Sequence, residues 1–92
     1  MSAFAKLIRR LQASGVKTTN LELWHKHMCN AVYEAAQVKE LNFRKWSEKY
    51  QSAQFFEGHI IGALDMLYDL ELVSTDECCE VSRELEKTLK GM

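Results

Sequence analysis

The sequence contains no proline and only four glycines among its 92 residues. These two residue types mark most turns of β-rich folds, so their scarcity argues against a protein built from many short strands. It leaves long stretches in which apolar residues recur at helical spacing. Together with the helix caps and the apolar spacing, this composition predicts an all-α fold, a compact bundle of about four helices with the third longest, formed as a single domain over residues 1–92.

A paired cysteine framework and a long apolar run are also missing. Cys29, Cys78 and Cys79 are odd in number and lack paired spacing, which is typical of a reducing compartment. No stretch approaches the roughly 18 apolar residues of a membrane span, and charges interrupt what would be the apolar part of a signal peptide. We therefore expect a cytoplasmic protein with no membrane partner. The hydrophobic share of 47% argues against a disordered chain.

The charges present are divided unevenly along the chain. Residues 1–50 carry nine Lys and Arg against four Asp and Glu, and residues 51–92 carry three against nine. Because like charges repel when brought together, such a division predicts one face suited to an acidic partner and another suited to a basic one. The pattern indicates binding partners and gives no indication of chemistry.

Caps and apolar spacing predict the first two helices. The first runs from about residue 3 to residue 14 behind Ser2, and Gly15 takes the left-handed position that follows a helix. Thr19 is expected to cap the second helix, in a capping box with Glu22. An apolar stripe then continues along that helix to residues 38–40.

Asn42 is the predicted cap of the third helix. Leu41 and Trp46 stand where a hydrophobic staple would form across that cap. Apolar residues then recur in steps of three and four to about Glu71. Ser74 and Glu77 form a second capping box at the start of a fourth helix, whose apolar face consists of Cys78, Val81, Leu85 and Leu89 and whose end is set by Gly91.

Gly58 and Gly62 lie inside the longest helix, where each glycine costs about 1 kcal/mol relative to alanine. The favoured explanation is that another helix approaches the glycine face closely. The alternative is a break or hinge near residues 54–58 that bends the helix.

The segment around His25 and Cys29 has the residue types of a zinc site, but helical geometry does not place all of these side chains on one face. His25 and Cys29 share a face, while His27 points away, so Cys78, Cys79 or His59 would have to complete the set. No nucleophile has a base at usable spacing, and the carboxylates fall on solvent faces. The sequence therefore predicts no enzyme, no catalytic residue, no metal and no cofactor.

Aromatic and basic side chains are interleaved at the start of the third helix. Phe43, Trp46 and Tyr50 hold core spacing, so Lys45 and Lys49 are expected together on the outer face. Aromatic and cationic side chains dominate protein interfaces and also bind single-stranded nucleic acid. The predicted partner-binding residues are Arg44, Lys45, Lys49, Lys39, Phe55, Arg9 and Arg10.

The C-terminal third supplies a family resemblance. The pattern FEGHIIGAL at residues 56–64, running into LVSTDE at residues 72–77, resembles small helical accessory proteins of phages and mobile elements, such as anti-CRISPR proteins. The resemblance implies a stoichiometric inhibitor, acting in the cytoplasm of a bacterial host, that blocks a host protein or ribonucleoprotein complex. It carries over no catalytic residue.

Two other interpretations remain open. A nucleic-acid-binding regulator would use residues 39–49, although a sequence pI of about 6.3 counts against it, because non-specific affinity rests on phosphate neutralisation. A structural or scaffold homodimer would instead use Phe55, Phe56 and the two glycines of the third helix.

Overall fold

The computed structural model describes residues 1–91, which form four helices and no strand. The helices are α1 (Ala3–Ala13), α2 (Thr19–Val38), α3 (Phe43–Asp69) and α4 (Thr75–Lys90). The all-α prediction is confirmed, and α3 is the longest helix with 27 residues. The molecule measures 45 × 23 × 21 Å, its long axis close to the ~40 Å that such a helix spans.

Helix α1 begins where its sequence predicts and ends at Ala13, one residue before the predicted end. The Ser2 hydroxyl accepts a hydrogen bond from the Ala5 amide at 3.0 Å, which satisfies one donor of the first turn. At the other end the Val16 amide bonds back to the Leu11 carbonyl at 2.9 Å. Gly15 permits this closure because it adopts a positive φ of 83°, the region that a residue with a side chain rarely enters.

The predicted cap of α2 is wrong by one residue. Thr18 occupies the N-cap, and Thr19 is the first helical residue. Thr18 has a ψ of 7° instead of extended backbone, and its side chain makes no capping bond. It is buried, donating to the Glu22 carboxylate at 3.0 Å and accepting from the Gln12 side chain at 3.1 Å. The Thr18 side chain therefore contacts Gln12 of α1 and Glu22 instead of capping the backbone of α2.

Helix α3 begins at the predicted cap, since the Asn42 side chain accepts from the Lys45 amide at 3.1 Å. The expected staple is absent, because Leu41 is 85% exposed. The helix ends at Asp69, two residues before the predicted end. Glu71 has a φ of 62° and turns the chain, while the Leu72 amide bonds to the Leu67 carbonyl at 2.9 Å.

The capping box of α4 is confirmed. The Glu77 amide donates to the Ser74 hydroxyl at 3.1 Å, and the Ser74 amide donates to the Glu77 carboxylate at 3.0 Å. On the predicted apolar face Val81, Leu85 and Leu89 are buried, whereas Cys78 is half-buried. Gly91 occupies the C-cap.

Two of the four helices form a hairpin, and the other two pack on part of it. Helices α2 and α3 are antiparallel neighbours over much of their length. Helix α4 runs back along α3, with the Cys78 thiol 4.0 Å from the Leu64 carbonyl, and α1 packs against α4. One continuous core joins all four, and its fully buried side chains include Leu11, Met28, Ile60, Leu64 and Leu85.

The core occupies one end of the hairpin. Every buried residue of α2 lies between Leu21 and Ala35, and every buried residue of α3 lies between Ala53 and Leu64. No residue from 36 to 52 is buried. We call residues 36–52 the distal tip and the rest of the described chain the proximal body. None of the helices within residues 1–91 is long and apolar enough to cross a membrane.

Candidate interaction surface

The distal tip exposes two large apolar side chains where α2 turns into α3. Leu41 is 85% exposed and Phe43 is 74% exposed. The Phe43 ring lies 5.5 Å from the Trp46 ring, which lies 5.4 Å from the Tyr50 ring. The prediction that all three rings face inward is wrong for Phe43. Trp46 and Tyr50 are half-buried against the core, and Phe43 lies beyond the point where the core ends.

Two of the four cations of the distal tip are held by carboxylates. Lys49 forms an ion pair with Glu34, which joins α3 to α2, so it is not free on the outer face as predicted. Arg44 lies 3.6 Å from Glu48, one turn along α3, in a highly exposed pair. Exposed pairs of this kind contribute little to stability. In residues 1–91, the remaining two cations, Lys39 and Lys45, form no ion pair.

Arg9 and Arg10 lie away from the distal tip, on α1 in the proximal body. Arg10 holds three parts of the chain together. Its guanidinium donates twice to the Glu77 carboxylate, at 2.5 and 2.8 Å, and once to the Leu72 carbonyl at 2.7 Å. Burial acts to raise the pKa of Glu77, but the hydrogen bonds from Arg10 and Ser74 outweigh it and leave that pKa below its ordinary value. The structure thus gives Arg10 a role in folding.

Phe55 lies at the middle of α3, between the distal tip and the far end of the helix, and is 60% exposed. Its ring is 5.4 Å from that of Phe56 and 4.3 Å from that of His59. Phe56 stacks on His27 at 5.1 Å, and Trp24 meets the edge of His59 at 5.4 Å. These rings come from α2 and α3 alone.

The glycines of α3 face open space. No neighbouring atom lies within 4 Å of the position that a Cβ would take on Gly58 or Gly62. The prediction of a closely approaching helix is therefore wrong, and α3 continues through residues 54–58 without the alternative break. Both glycines are exposed on the same side of α3 as Phe55.

His25 and Cys29 lie one turn apart on α2, where His25 packs against α1. His25 stacks on Phe4 at 4.0 Å, and its Nε2 lies 3.8 Å from the Cys29 sulfur, so the two share a face as predicted. Burial lowers the pKa of His25 and raises that of the Cys29 thiol, while the Glu84 carboxylate raises both. No group of three or more potential metal ligands converges anywhere within residues 1–91.

Sequence reasoning missed Glu84, which caps α1 from α4. Its carboxylate accepts from the Ala3 amide at 2.7 Å and from the Phe4 amide at 3.2 Å. A negative charge at a helix N-terminus is favourable because of the unpaired amides there. The partners lie 80 or 81 residues apart in the chain, so no local pattern signals the contact.

Glu84 and Glu77 also explain part of the uneven charge division. The basic helix α1 packs against the acidic helix α4 through both residues. Some of the opposite charge therefore pairs within the fold instead of marking two separate binding faces. Comparisons with family models, with curated proteins and with solved structures find no match to this chain.

Proposed function

We propose that this protein is a non-enzymatic binding protein that engages a protein partner through its distal tip. The observation that carries the proposal is the exposure of Leu41 and Phe43 at a tip that contributes no buried residue to the core. An exposed aromatic and aliphatic pair flanked by cations has the composition of an interface centre and its rim. Folding gains little from these side chains, so binding is the better explanation for them.

The charge of the distal tip favours a protein over a nucleic acid. Four cations are present, but Lys49 pairs with Glu34 and Arg44 with Glu48. Non-specific nucleic-acid affinity grows with the number of phosphates that cations neutralise, and the two lysines outside these pairs neutralise few. The partner surface that fits is an apolar pocket with an acidic rim, which Lys39 and Lys45 would face.

The resemblance to anti-CRISPR and similar accessory proteins supports a more specific form of the proposal. In that form the chain is a stoichiometric inhibitor that occupies a functional surface of a host nucleoprotein complex in the bacterial cytoplasm. A small fold with one uncovered end suits this role, since it needs to block a surface and not to transform a substrate.

The test is capture of partners from bacterial lysate by the wild type and by a double reversal, Lys39→Glu with Lys45→Glu. Neither lysine takes part in a described ion pair, so the reversal should change the free energy of unfolding by less than about 0.5 kcal/mol for each residue. Capture by the variant should fall at least tenfold, and wild-type capture should weaken as salt rises. Capture should persist after nuclease treatment.

A matched control reverses two exposed lysines of the proximal body, Lys17→Glu with Lys26→Glu. It makes the same change in net charge and should leave capture unchanged. Equal losses in both double variants would show that overall charge, and not the distal tip, governs binding. Loss of capture on nuclease treatment would replace the protein partner with a nucleic acid.

A further inference from the structure

A second surface runs along α3 on the side opposite its core residues. Alternating steps of four and three residues from Arg44 to Asp69 define the outer line of α3. Its central positions are Gln51, Phe55, Gly58 and Gly62, and every residue on the line is exposed. Steps of four and three are the spacing of a coiled-coil seam, in which one helix packs along another.

The outer line is clear of the rest of the fold. The buried residues of α3, Ala53, Ile60 and Leu64, lie on the other side, where α2 and α4 pack. The outer line carries one large apolar side chain, Phe55, which is 60% exposed. Met66, which lies beside the line next to Asp65, is 67% exposed. Gly58 and Gly62 leave open space between these two side chains. A second straight helix can approach α3 here without displacing any part of the molecule.

The charges along α3 show which helix fits. The outer line begins at a cation, Arg44, and ends at an acid, Asp69, whereas Lys49 of the same helix is held by Glu34 of α2. A helix with the opposite order of charge complements it, and α3 itself has that order when its direction is reversed. A second copy of the same helix therefore has the order of charge that complements this surface.

We propose that two copies of this chain pair through their outer lines, with the two α3 helices antiparallel about an axis between Phe55 and Gly58. In this register Phe55 of each copy lies over Gly58 of the other, and Gln51 lies beside Gly62. The centre of the interface is therefore an aromatic side chain seated on a glycine, present twice.

The same register sets the charges at the ends of the interface. Arg44 of each copy lies opposite Asp69 of the other, so an ion pair closes each end. The layer between the centre and each end, Glu48 of one copy beside Asp65 of the other, brings like charges together and also occurs twice. The end pairs are therefore the part of the interface that charge reversal tests most directly.

The charge pairing provides the first test, read by sedimentation velocity over a range of concentrations. Arg44→Glu and Asp69→Lys each place like charges at both ends of a homodimer. Each should weaken self-association at least tenfold. Neither should unfold the monomer, because an acid near a helix start and a base near a helix end are both favourable.

Mixing the two reversed variants is the decisive step. In a mixed dimer the reversed position 44 of one copy lies opposite the reversed position 69 of the other, and the native Asp69 lies opposite the native Arg44. Opposite charges then face each other at both ends, so equimolar mixing should restore association to about wild-type strength. A wild type that stays monomeric at the highest concentration, or a mixture that fails to recover, would overturn the proposal.

The glycine provides a second test that is independent of charge. Gly58→Leu places a side chain in open space in the monomer, so stability should be kept or raised, because leucine favours a helix more than glycine does. The added side chain would occupy the position of the other copy's Phe55, so association should weaken at least tenfold. Gln54→Leu, exposed on α3 but off the line, is the control and should dimerise normally. Unchanged association of Gly58→Leu would contradict the register.

Discussion

The two ends of the α2–α3 hairpin are built from the same helices but have different surroundings. In the proximal body α1 and α4 cover the hairpin, and the core side chains Met28, Ile60 and Leu64 are almost completely buried. In the distal tip no residue is buried, and Leu41 and Phe43 are largely exposed. The difference indicates that the proximal body supplies most of the stability. The exposed side chains of the distal tip contribute little to it and are available to contact a partner.

The two ends of the hairpin should differ most in their response to truncation of one apolar side chain at each end. Leu85→Ala removes a fully buried side chain and should lower the free energy of unfolding by about 2–5 kcal/mol. Phe43→Ala removes a larger but exposed side chain and should lower it by less than about 1 kcal/mol. Chemical denaturation measures both, and comparable losses would contradict the division into two ends.

A smaller effect is expected from the cap that joins α1 to α4. Glu84→Ala leaves the Ala3 and Phe4 amides without their carboxylate, which should cost about 1–3 kcal/mol. The matched control is Glu80→Ala, one turn earlier on α4 and exposed, which should stay within about 0.5 kcal/mol. Equal free energies of unfolding for the two variants would mean that the Glu84 cap does not stabilise α1.

Substitutions at the helix starts of the proximal body should change the free energy of unfolding by a similar or smaller amount. Ser74→Ala removes one bond of the α4 capping box and should cost about 0.5–2 kcal/mol. Thr19→Ala should change stability by less than about 0.5 kcal/mol, because Thr18 and not Thr19 stands at the N-cap. A larger loss for Thr19→Ala would restore the start of α2 that the sequence predicts.

Acidification should weaken the proximal body through His25. Burial holds the pKa of His25 below its ordinary value of 6.5, so the unfolded chain binds a proton more readily than the folded chain. The free energy of unfolding should therefore decrease as the pH falls from about 6.5 towards the folded pKa. His25→Gln should remove this part of the pH dependence, as measured by denaturation across that range. An unchanged pH profile in the variant would mean that folding does not lower the pKa of His25.

Local sequence signals are sufficient to predict most of the fold. Ser2, Asn42 and the Ser74 box mark three helix starts because each acts on backbone within three residues of itself. Thr18 was missed because its role depends on Gln12, which the tertiary fold brings to it. Glu84 was missed for the same reason, at a much greater chain separation.

The candidate surface was predictable in composition but not in orientation. Phe43, Trp46 and Tyr50 follow one helical stripe, and periodicity alone cannot tell where along a stripe the covering helices stop. Phe43 lies past that point and is exposed for this reason. Periodicity likewise placed Lys49 on an outer face, whereas its ion pair with Glu34 depends on the position of α2.

Partner capture by two matched double variants tests whether the proximal body folds the chain and the distal tip binds the partner. One variant is Leu41→Ser with Phe43→Ser at the distal tip, and the other is Tyr68→Ser with Leu70→Ser in the proximal body. All four side chains are exposed, so both variants should remain folded. The distal variant should lose capture at least tenfold, whereas the proximal variant should capture like the wild type. Wild-type capture by the distal variant, with loss in the proximal one, would contradict this prediction.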